Sequence, residues 1–382
     1  YLVGVLPTPA VAFLTESMRV DAGIVISASH NPFQDNGIKI FSSDGYKLPD
    51  DKEDELEKLI LEGNLDDLLP GPWDMGRARR IEDARGRYIV FAKNAFPRDL
   101  SMEGLKIVLD VGNGATYKAA PAAFFELGAD VTTINNEPDG LNINLNCGSQ
   151  HTDKGLEAMV KESGAAVGLA FDGDGDRLIA VDEKGNTLTG DQVLIIIANS
   201  LKRIGQLSSN ILVTTVMSNI GFKLACKKYG FTHHAAKVGD RYVLEDMLQL
   251  GARLGGEDSG HTIFLDHHTT GDGIVTAMQL IAAILREDKP LSELAQQMEV
   301  FPQELINVEV QSKPVIETLD GVTQAISRAE HELGEEGRVL VRYSGTQNLC
   351  RVMVEGPTKE KTKDLCEMIA YAIEKTIGTS KE

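Results

Sequence analysis

The feature that most constrains the fold of this chain is a ten-residue stretch, residues 168–177, which reads GLAFDGDGDR. An apolar run ends at Phe171, and a second short apolar run, LIAVD, follows Arg177. Short apolar runs bounded by turn residues are typical of buried strands, so the pattern predicts a strand, a loop and a second strand. The loop carries three aspartates at alternate positions: Asp172, Asp174 and Asp176.

Alternate side chains of an extended segment point to one side, so these three carboxylates repel one another unless a cation lies among them. The single glycines between them permit backbone bends that let the carboxylate oxygens converge. Hard oxygen ligands in this number favour Mg²⁺ or Ca²⁺ over a soft metal. We therefore predict a divalent-cation site in this segment, which we call the metal loop (residues 172–177).

Two other interpretations of the metal loop remain open at this point. One is a solvated acidic turn without a ligand. The other is a helix–loop–helix calcium site, in which the aspartates would take positions 1, 3 and 5 and Glu183 position 12. That site needs glycine at position 6, where this chain has Arg177, and its flanks should be helical rather than strand-like. The calcium site is therefore disfavoured.

The charge of the chain restricts its partners. Its 382 residues include 57 Asp and Glu against 38 Lys and Arg, which gives a net charge of −19. This balance disfavours nucleic acid and favours a soluble, cytoplasmic protein, in which local Arg and Lys must hold any anionic substrate. The longest apolar runs, such as residues 193–198, are too short to cross a membrane. The cysteines have no metal-ligand spacing, so buried free thiols are expected at Cys147, Cys226, Cys350 and Cys366.

Strand-like and helix-like segments alternate along most of the chain, which predicts α/β units with parallel sheets. From about residue 299 the pattern changes to that of an α+β module. Residues 2–14 are apolar but lack a basic lead-in and contain two prolines, so they are a poor signal peptide. We therefore expect the chain to begin inside a domain. The predicted domains are residues 1–98, 99–185, 186–299 and 300–382.

A serine and a histidine are adjacent in SASHNP, residues 27–32, which we call the serine loop. It follows a strand predicted over residues 22–26, and loops that follow strands of α/β sheets gather into active sites. Ser29 beside His30 suits a nucleophile, but Ser, Asn and Pro also favour an ordinary capped turn. The motif alone does not decide between the two.

The segment GGEDSGH, residues 255–261, is called the sugar loop here. Glu257, Ser259 and His261 alternate, so an acceptor, a hydroxyl and an imidazole are offered to one side. This combination suits sugar hydroxyls, which need both donors and acceptors. A polar loop without a ligand explains the pattern equally well.

The segment RYSGTQNLCR, residues 342–351, is called the phosphate loop here. Two arginines, two hydroxyls and backbone amides near a glycine are the groups that cradle a phosphate, and arginine binds phosphate through two hydrogen bonds. A β-hairpin with surface arginines is the alternative. A weaker set, Lys237–Arg241, puts two cations beside a glycine and is more typical of a solvated loop. Together, the four loops indicate phosphoryl transfer on a phosphosugar.

In this order, SASHNP, DGDGDR, GEDSGH and RYSGT resemble the serine, metal, sugar and phosphate loops of the α-D-phosphohexomutase superfamily. Stretches such as DNGIKIFS, HTTGDG and RYSGTQNLCRVMVEG are most similar to bacterial phosphoglucosamine mutases, with phosphomannomutase/phosphoglucomutases as near neighbours. The resemblance implies three similar α/β domains, the first truncated at its N-terminus, and a C-terminal α+β domain around a central cleft. It also implies conversion of glucosamine 6-phosphate to glucosamine 1-phosphate on the way to cell-wall precursors.

The resemblance further implies a role for each loop. Ser29 would be the phosphorylated serine and would hold Mg²⁺ together with the three aspartates, and Arg177 would lie beside it. Glu257 and Ser259 would bind sugar hydroxyls. The non-reacting phosphate would be held by Arg342, Ser344, Gly345, Thr346 and Arg351. A primer, glucosamine 1,6-bisphosphate or glucose 1,6-bisphosphate, is expected. A phosphosugar is the expected partner, without nucleic acid or membrane, and a homodimer is a possible assembly.

Two points stay open from the sequence. The general base is one of three candidates, His30, Arg241 and His261. Family members also carry a threonine and an arginine in an additional N-terminal stretch that approaches the active site, and nothing in residues 1–28 matches that stretch. A non-catalytic phosphosugar-binding protein is the alternative from another functional class.

Overall fold

The structure is a computed structural model that describes residues 1–63, 65–344 and 347–379. The chain divides into two compact units. The first unit consists of Tyr1–Ser218 and Tyr229–Gln297, and the second of Asn219–Lys228 and Met298–Glu382. Helices and strands alternate through the first unit, and the second combines helices with an antiparallel sheet, so the predicted α/β class with a C-terminal α+β module is confirmed.

In the described residues the helices are α1 Thr8–Ser17, α2 Asp50–Glu62, α3 Ala84–Lys93, α4 Ala119–Glu126, α5 Leu156–Ser163, α6 Gly190–Arg203, α7 Ile220–Tyr229, α8 Asp240–Leu250, α9 Gly273–Glu287, α10 Leu291–Leu294, α11 Asp320–Leu333 and α12 Lys359–Ile377. The strands are β1 Ala22–Ser27, β2 Gly37–Ser42, β3 Lys106–Asp110, β4 Asp130–Ile134, β5 Val167–Phe171, β6 Leu178–Asp182, β7 Thr187–Leu188, β8 Ile211–Thr215, β9 Thr232–Ala236, β10 Leu254–Gly256, β11 Thr262–Phe264, β12 Gln303–Glu309, β13 Arg338–Tyr343 and β14 Leu349–Glu355. Among the described helices, none is both long and apolar enough to cross a membrane.

The first sheet is the antiparallel pair β1 and β2. Side chains alternate along the strands, so one face packs through Val25 and Phe41 on Ala12 of α1. The other face leaves Ile24 and Ile26 exposed. Because the register pairs Ser27 with Gly37, the serine loop continues directly from the end of this pair.

The five-stranded sheet of the first unit has the order β4-β3-β5-β6-β7. Strands β3, β4 and β5 are parallel, as the alternating pattern predicts, while β6 and β7 run antiparallel. All five residues of β5 are buried, which explains its unbroken apolar sequence. The metal loop connects β5 to β6 as a hairpin, and a short hairpin connection imposes the antiparallel direction.

The four-stranded sheet has the order β11-β10-β8-β9, in which only the pair β10 and β11 is antiparallel among the described strands. The sugar loop forms the turn between these two strands. Helices α6 and α9 are rich in buried apolar side chains, and Thr189 and Asp272 cap their N-termini with side-chain oxygens.

The second unit contains an antiparallel sheet of order β12-β14-β13. Helices α11 and α12 bury Val322, Leu365 and Ile369 against Val352 and Val354 of this sheet. Helix α7 is tied to the same unit through the buried carboxylate of Glu355. That carboxylate accepts the amide hydrogen of Ile220 at 2.8 Å and pairs with Arg338 at 2.7 Å.

Candidate active site

Three buried carboxylates form the centre of the candidate site. Asp172, Asp174 and Asp176 are 0, 2 and 4% exposed, and they offer ligand oxygens that all lie within 4.8 Å of one another. Gly175, at φ +72°, supplies the left-handed turn that brings them together. Each aspartate keeps one oxygen without a hydrogen-bond partner among the described residues. This donor set fits a hard divalent cation such as Mg²⁺.

The electrostatics of the triad are those of a site that needs positive charge. Burial, followed by the charges of Asp176 and Asp174, raises the pKa of Asp172 well above its usual range. Burial also opposes ionisation of Asp176, but the charges of Lys39, His261 and Arg177 outweigh it and lower the pKa of that carboxyl. Neighbouring cations therefore determine which of these carboxyl groups ionises most readily.

Lys39 of β2 is a residue of this site that was not predicted from the sequence. Its Nζ lies 2.6 Å from Oδ2 of Asp174 and 2.9 Å from Oδ2 of Asp176. Burial lowers the pKa of Lys39, but the two aspartates outweigh burial and raise it. The sequence feature that could have identified Lys39 is its position between two isoleucines in an apolar strand. A cation that is buried in such a strand needs an anionic partner.

The start of α1 also contacts the metal loop. Oγ1 of Thr8 donates to Oδ2 of Asp174 at 2.6 Å, and the amide of Thr8 donates to the carbonyl of Asp174 at 2.8 Å. No threonine in residues 1–28 matches the N-terminal stretch that the resemblance implies. Thr8 nevertheless reaches the site, across 166 positions of chain.

The serine loop packs directly on the metal loop. A Cβ built on Gly173 would lie 2.6 Å from the carbonyl oxygen of Ser29, so glycine is what permits this approach. Ser29 has a left-handed backbone at φ +53°, and its Oγ lies 3.3 Å from Nδ1 of His30. Burial, followed by the charge of Arg177, lowers the pKa of His30.

Arg177 and His261 join the metal loop to the sugar loop through a single antiparallel bridge. The amide of Arg177 donates to Oδ1 of Asp172 at 3.1 Å. His261 is 2% exposed, and both its ring nitrogens lack a hydrogen-bond partner in the part of the chain that the structure describes. Its Nε2 lies 3.7 Å from Oδ2 of Asp240. The imidazole is therefore almost fully buried.

In the sugar loop, Ser259 is exposed and Glu257 is partly exposed. Oε1 of Glu257 accepts the amide hydrogen of Gly239 at 3.2 Å, which connects this loop to the start of α8. Arg241, in the first turn of that helix, donates to the carbonyl of Leu48 at 2.8 Å and also pairs with Asp50 and Glu53. Its guanidinium is thus engaged by the chain itself.

The phosphate loop belongs to the second unit and is described within that unit. Arg342 of β13 stands directly opposite Arg351 of β14, an arrangement in which like charges repel unless an anion lies between them. Lys313, not predicted from the sequence, donates to the carbonyl of Ser344 at 2.7 Å. Two residues of the predicted set, Gly345 and Thr346, lie outside the described residues.

Comparison with known families covers nearly the whole chain. The sequence matches the phosphoglucomutase/phosphomannomutase family in all four of its domain types. The matches are alpha/beta/alpha domain I over residues 1–66, domain II over 87–185, domain III over 189–301 and the C-terminal domain over 305–372.

Curated relatives are similar over almost the full chain. A phosphoglucosamine mutase of Syntrophobacter fumaroxidans is 65% identical over 378 residues, which are 99% of this chain and 84% of the relative. A phosphoglucosamine mutase of Syntrophus aciditrophicus is 62% identical over 377 residues, again 99% and 84%.

Solved structures of lower identity share the fold. A Burkholderia thailandensis phosphoglucomutase/phosphomannomutase family protein superposes with a TM-score of 0.77 at 23% identity, covering 98% of this chain and 82% of that one. Aspergillus fumigatus N-acetylphosphoglucosamine mutase, in complex with GlcNAc-6P and magnesium, superposes with a TM-score of 0.74 at 17% identity, covering 97% and 93%.

Proposed function

Because this chain belongs to the phosphoglucomutase/phosphomannomutase family, we propose that it interconverts glucosamine 6-phosphate and glucosamine 1-phosphate. One observation carries the proposal: Ser29, in a left-handed conformation, packs against a loop with three buried aspartates that retain unpartnered oxygens within the described residues. Relatives that are 65 and 62% identical carry the name phosphoglucosamine mutase, which favours the amino sugar as substrate.

The proposed metal is Mg²⁺, held by Asp172, Asp174 and Asp176 together with a phosphate oxygen of phosphorylated Ser29. The convergence of their oxygens within 4.8 Å supports this assignment. A bound Mg²⁺ would neutralise charge that develops on the transferred phosphoryl group. The primer is proposed to be glucosamine 1,6-bisphosphate or glucose 1,6-bisphosphate. A variant of the Aspergillus fumigatus mutase is described in complex with glucose 1,6-bisphosphate, which supports the second choice.

Ser29 is the proposed carrier of the phosphoryl group. The bond between its Oγ and phosphorus breaks as a sugar hydroxyl oxygen bonds to the same phosphorus, and the proton of that sugar hydroxyl passes to Oγ. The resulting sugar bisphosphate turns in the site, and Oγ attacks its other phosphorus. The bond between that phosphorus and its sugar oxygen breaks, and the Oγ proton passes to this oxygen. Ser29 thereby carries the second phosphoryl group, and the isomerised monophosphate leaves.

Proton transfer in these steps needs a base near Oγ of Ser29. Of the three candidates, we favour His30, whose Nδ1 lies 3.3 Å from that oxygen and whose ring is partly exposed. His261 is buried, and the guanidinium of Arg241 is always charged and already pairs with carboxylates. Arg177 is proposed to lie beside the phosphoserine, as its bridge to the sugar loop allows.

Substrate recognition is assigned to the two remaining loops. Glu257 and Ser259 offer acceptors and a donor to sugar hydroxyls, and such groups tolerate both orientations of the bisphosphate. Arg342 and Arg351 would hold the non-reacting phosphate together with Ser344, which is joined in this proposal by Gly345 and Thr346. The strand register that places Arg342 opposite Arg351 supports an anion there, because like charges in such positions are favourable only with a counter-ion.

The deciding experiment compares mutase rates on glucosamine 6-phosphate, mannose 6-phosphate and glucose 6-phosphate, with Mg²⁺ and a bisphosphate primer. We expect strong preference for the amino sugar. Preference for mannose or glucose phosphate would make the protein a phosphomannomutase/phosphoglucomutase with the same site. Binding of phosphosugar without turnover, and without phosphate on Ser29, would establish a non-catalytic binding protein instead.

We also propose a cytoplasmic location and a homodimeric assembly. The four free cysteines, all buried, support a reducing compartment. Light scattering of the purified protein measures the assembly.

A further inference from the structure

Asn144 connects the serine loop to the loop that follows β4. Its Nδ2 lies 2.8 Å from the carbonyl oxygen of Ser29 and 2.8 Å from the carbonyl oxygen of Asn31. An amide group has two hydrogens on this nitrogen, so both bonds form at once. Asn144 is 7% exposed, which keeps water from competing for these carbonyls. These two hydrogen bonds therefore hold the backbone on both sides of His30.

The backbone that these two hydrogen bonds hold is strained at Ser29. Ser29 is a non-glycine residue at φ +53°, and such conformations persist only where the surroundings hold them. Within the loop, the amide of Ser29 donates to Oγ of Ser27 at 2.8 Å, and the amide of Asn31 donates to the carbonyl of Ala28 at 2.9 Å. These bonds satisfy amides only, and the two carbonyls are satisfied by Asn144.

Asn144 is itself firmly placed. Its backbone N–H donates to the carbonyl of Gly112 at 2.9 Å. Its backbone φ of +58° is one that asparagine tolerates. A Cβ on Gly173 would lie 2.7 Å from Nδ2 of Asn144 and 2.6 Å from the carbonyl of Ser29. The metal loop, the asparagine and the serine loop therefore meet at a point where no additional side-chain atom fits.

We propose that Asn144 is a positioning residue for Ser29. By binding the carbonyls of Ser29 and Asn31, it keeps the serine in the left-handed conformation from which Oγ gives and takes the phosphoryl group. This inference rests on the proposed function, because it requires Ser29 to be the phosphoryl carrier. It predicts that loss of the amide slows phosphoryl transfer more than it weakens sugar-phosphate binding.

Two variants test the amide in different ways. Asn144→Asp keeps the shape and the left-handed backbone but loses both donors. Asn144→Gly removes the side chain and adopts positive φ without strain. The matched control is Asn142→Asp, the same substitution in the same loop, because the side chain of Asn142 bonds to Glu137 and Asp139 instead.

The measurement is the rate at which Ser29 gains phosphate from glucose 1,6-bisphosphate, followed by rapid quench and site-specific mass spectrometry. Both Asn144 variants should be slower by about 100-fold, the effect expected of a misplaced reacting group. The KM for glucosamine 6-phosphate should change by less than about threefold, since its contacts are assigned to other loops. Hydrogen exchange should quicken at the amides of Ser29 and Asn31, and Asn142→Asp should match the wild type.

Each alternative outcome is distinct. If wild-type protein gains no phosphate on Ser29, the proposed function fails and this inference fails with it. If the wild type and both Asn144 variants gain phosphate at the same rate, Ser29 remains the carrier but the positioning role is wrong. If kcat and KM worsen together and exchange quickens throughout the first unit, Asn144 is a general structural residue, which also overturns the inference.

Discussion

The Nζ of Lys39 lies 2.6 Å from Oδ2 of Asp174, so a tethered ammonium contacts the same carboxylates that we propose hold Mg²⁺. A second contact, 2.9 Å to Oδ2 of Asp176, makes it a bridge between two of the three aspartates. Without this charge the buried carboxylates would repel one another. The ammonium and a metal ion therefore compete for the negative charge of the same two carboxylates, Asp174 and Asp176.

We predict that Lys39→Met strengthens Mg²⁺ binding and destabilises the metal-free protein. Removing the competing cation should lower the Mg²⁺ dissociation constant by about tenfold, or ~1.4 kcal/mol. In EDTA, the melting temperature should fall because the carboxylates lose their compensating charge. Calorimetric titration with Mg²⁺ and thermal denaturation in EDTA measure the two effects without any enzyme assay.

Lys47→Met is the control, because Lys47 is a partly buried lysine that pairs with Asp240 rather than with the triad. Its Mg²⁺ affinity should equal that of the wild type. Weaker Mg²⁺ binding by Lys39→Met would mean that the ammonium and the metal ion bind together and support each other.

Ser29→Ala should abolish phosphoryl exchange with the bisphosphate primer while leaving the fold intact, because Oγ is the only atom removed. Circular dichroism and thermal denaturation check the fold, and intact-protein mass checks phosphate incorporation. Ser27→Ala serves as control, since Ser27 accepts the amide hydrogen of Ser29 but is not the proposed carrier. Full mutase turnover by Ser29→Ala would show that another group carries the phosphate.

Arg351→Met should weaken binding of the substrate phosphate. A bidentate arginine–phosphate contact contributes about 1.5–3 kcal/mol, so the KM for glucosamine 6-phosphate should rise by roughly 10- to 100-fold. The phosphorylation of Ser29 at saturating primer should change much less. Arg328→Met, which removes an exposed arginine of α11 that pairs with Glu332, is the matched control. An unchanged KM would remove Arg351 from the phosphate site.

His268 should make the protein less stable in acid. Its Nε2 bonds to the carbonyl of Pro9 and its Nδ1 accepts the amide hydrogen of Thr269, and burial lowers its pKa to about 4. The unfolded chain takes up the proton first as pH falls below about 6.5, so stability is complete above that pH and is lost toward pH 4. The free energy of unfolding should decline by about 3 kcal/mol over this window.

Urea denaturation at several pH values measures the free energy of unfolding of the wild type and of His268→Gln, whose new side chain cannot titrate. The effect is the difference between these two free energies. The difference should shrink as pH falls from 6.5 to 4. His331→Gln, at an exposed histidine of α11, is the control substitution. A difference that is constant with pH would show that His268 is protonated in the folded protein.

Asp272 should make the protein less stable as the pH rises, which is the opposite of the effect of His268. It caps α9 and accepts the hydroxyl hydrogen of Tyr88 at 2.9 Å, and burial raises its pKa to about 6. The folded chain keeps a proton that the unfolded chain has already released, so stability is complete below about pH 4 and is lost as pH rises through 6. Relative to that of Asp272→Asn, the free energy of unfolding of the wild type should fall by about 3 kcal/mol between pH 4 and pH 7.

The same urea series measures this effect, with the pH trend of opposite sign to that of His268. Asp246→Asn, at a partly exposed aspartate that pairs with His234, is the control. If Asp272→Asn and the wild type keep a constant difference across this range, Asp272 is ionised in the folded protein at all these pH values.

Local patterns predicted many of the elements near the site. The unbroken apolar run of β5 and the alternating aspartates after it identify the strand and the metal loop, because burial and side-chain alternation are properties of a few consecutive residues. Helix α1 was not predicted, because Pro7 and Pro9 look like helix breakers. In the structure Pro7 is the N-cap residue and Pro9 lies in the first turn, positions at which a missing amide hydrogen costs no helical hydrogen bond. Strand β9, THHAA, lacks the apolar alternation that identifies a strand.

The sequence by itself determined the family, the α/β class and the chemistry of the loops, since each depends on residue types at short spacings. Tertiary structure alone decided which distant groups surround them. Thr8 reaches Asp174 across 166 positions, Lys39 across 135, and Asn144 reaches Ser29 across 115. Such contacts depend on how strands pair and loops pack, and no local pattern encodes them. The burial that shifts the pKa values of His268 and Asp272 likewise exists only once the chain has folded.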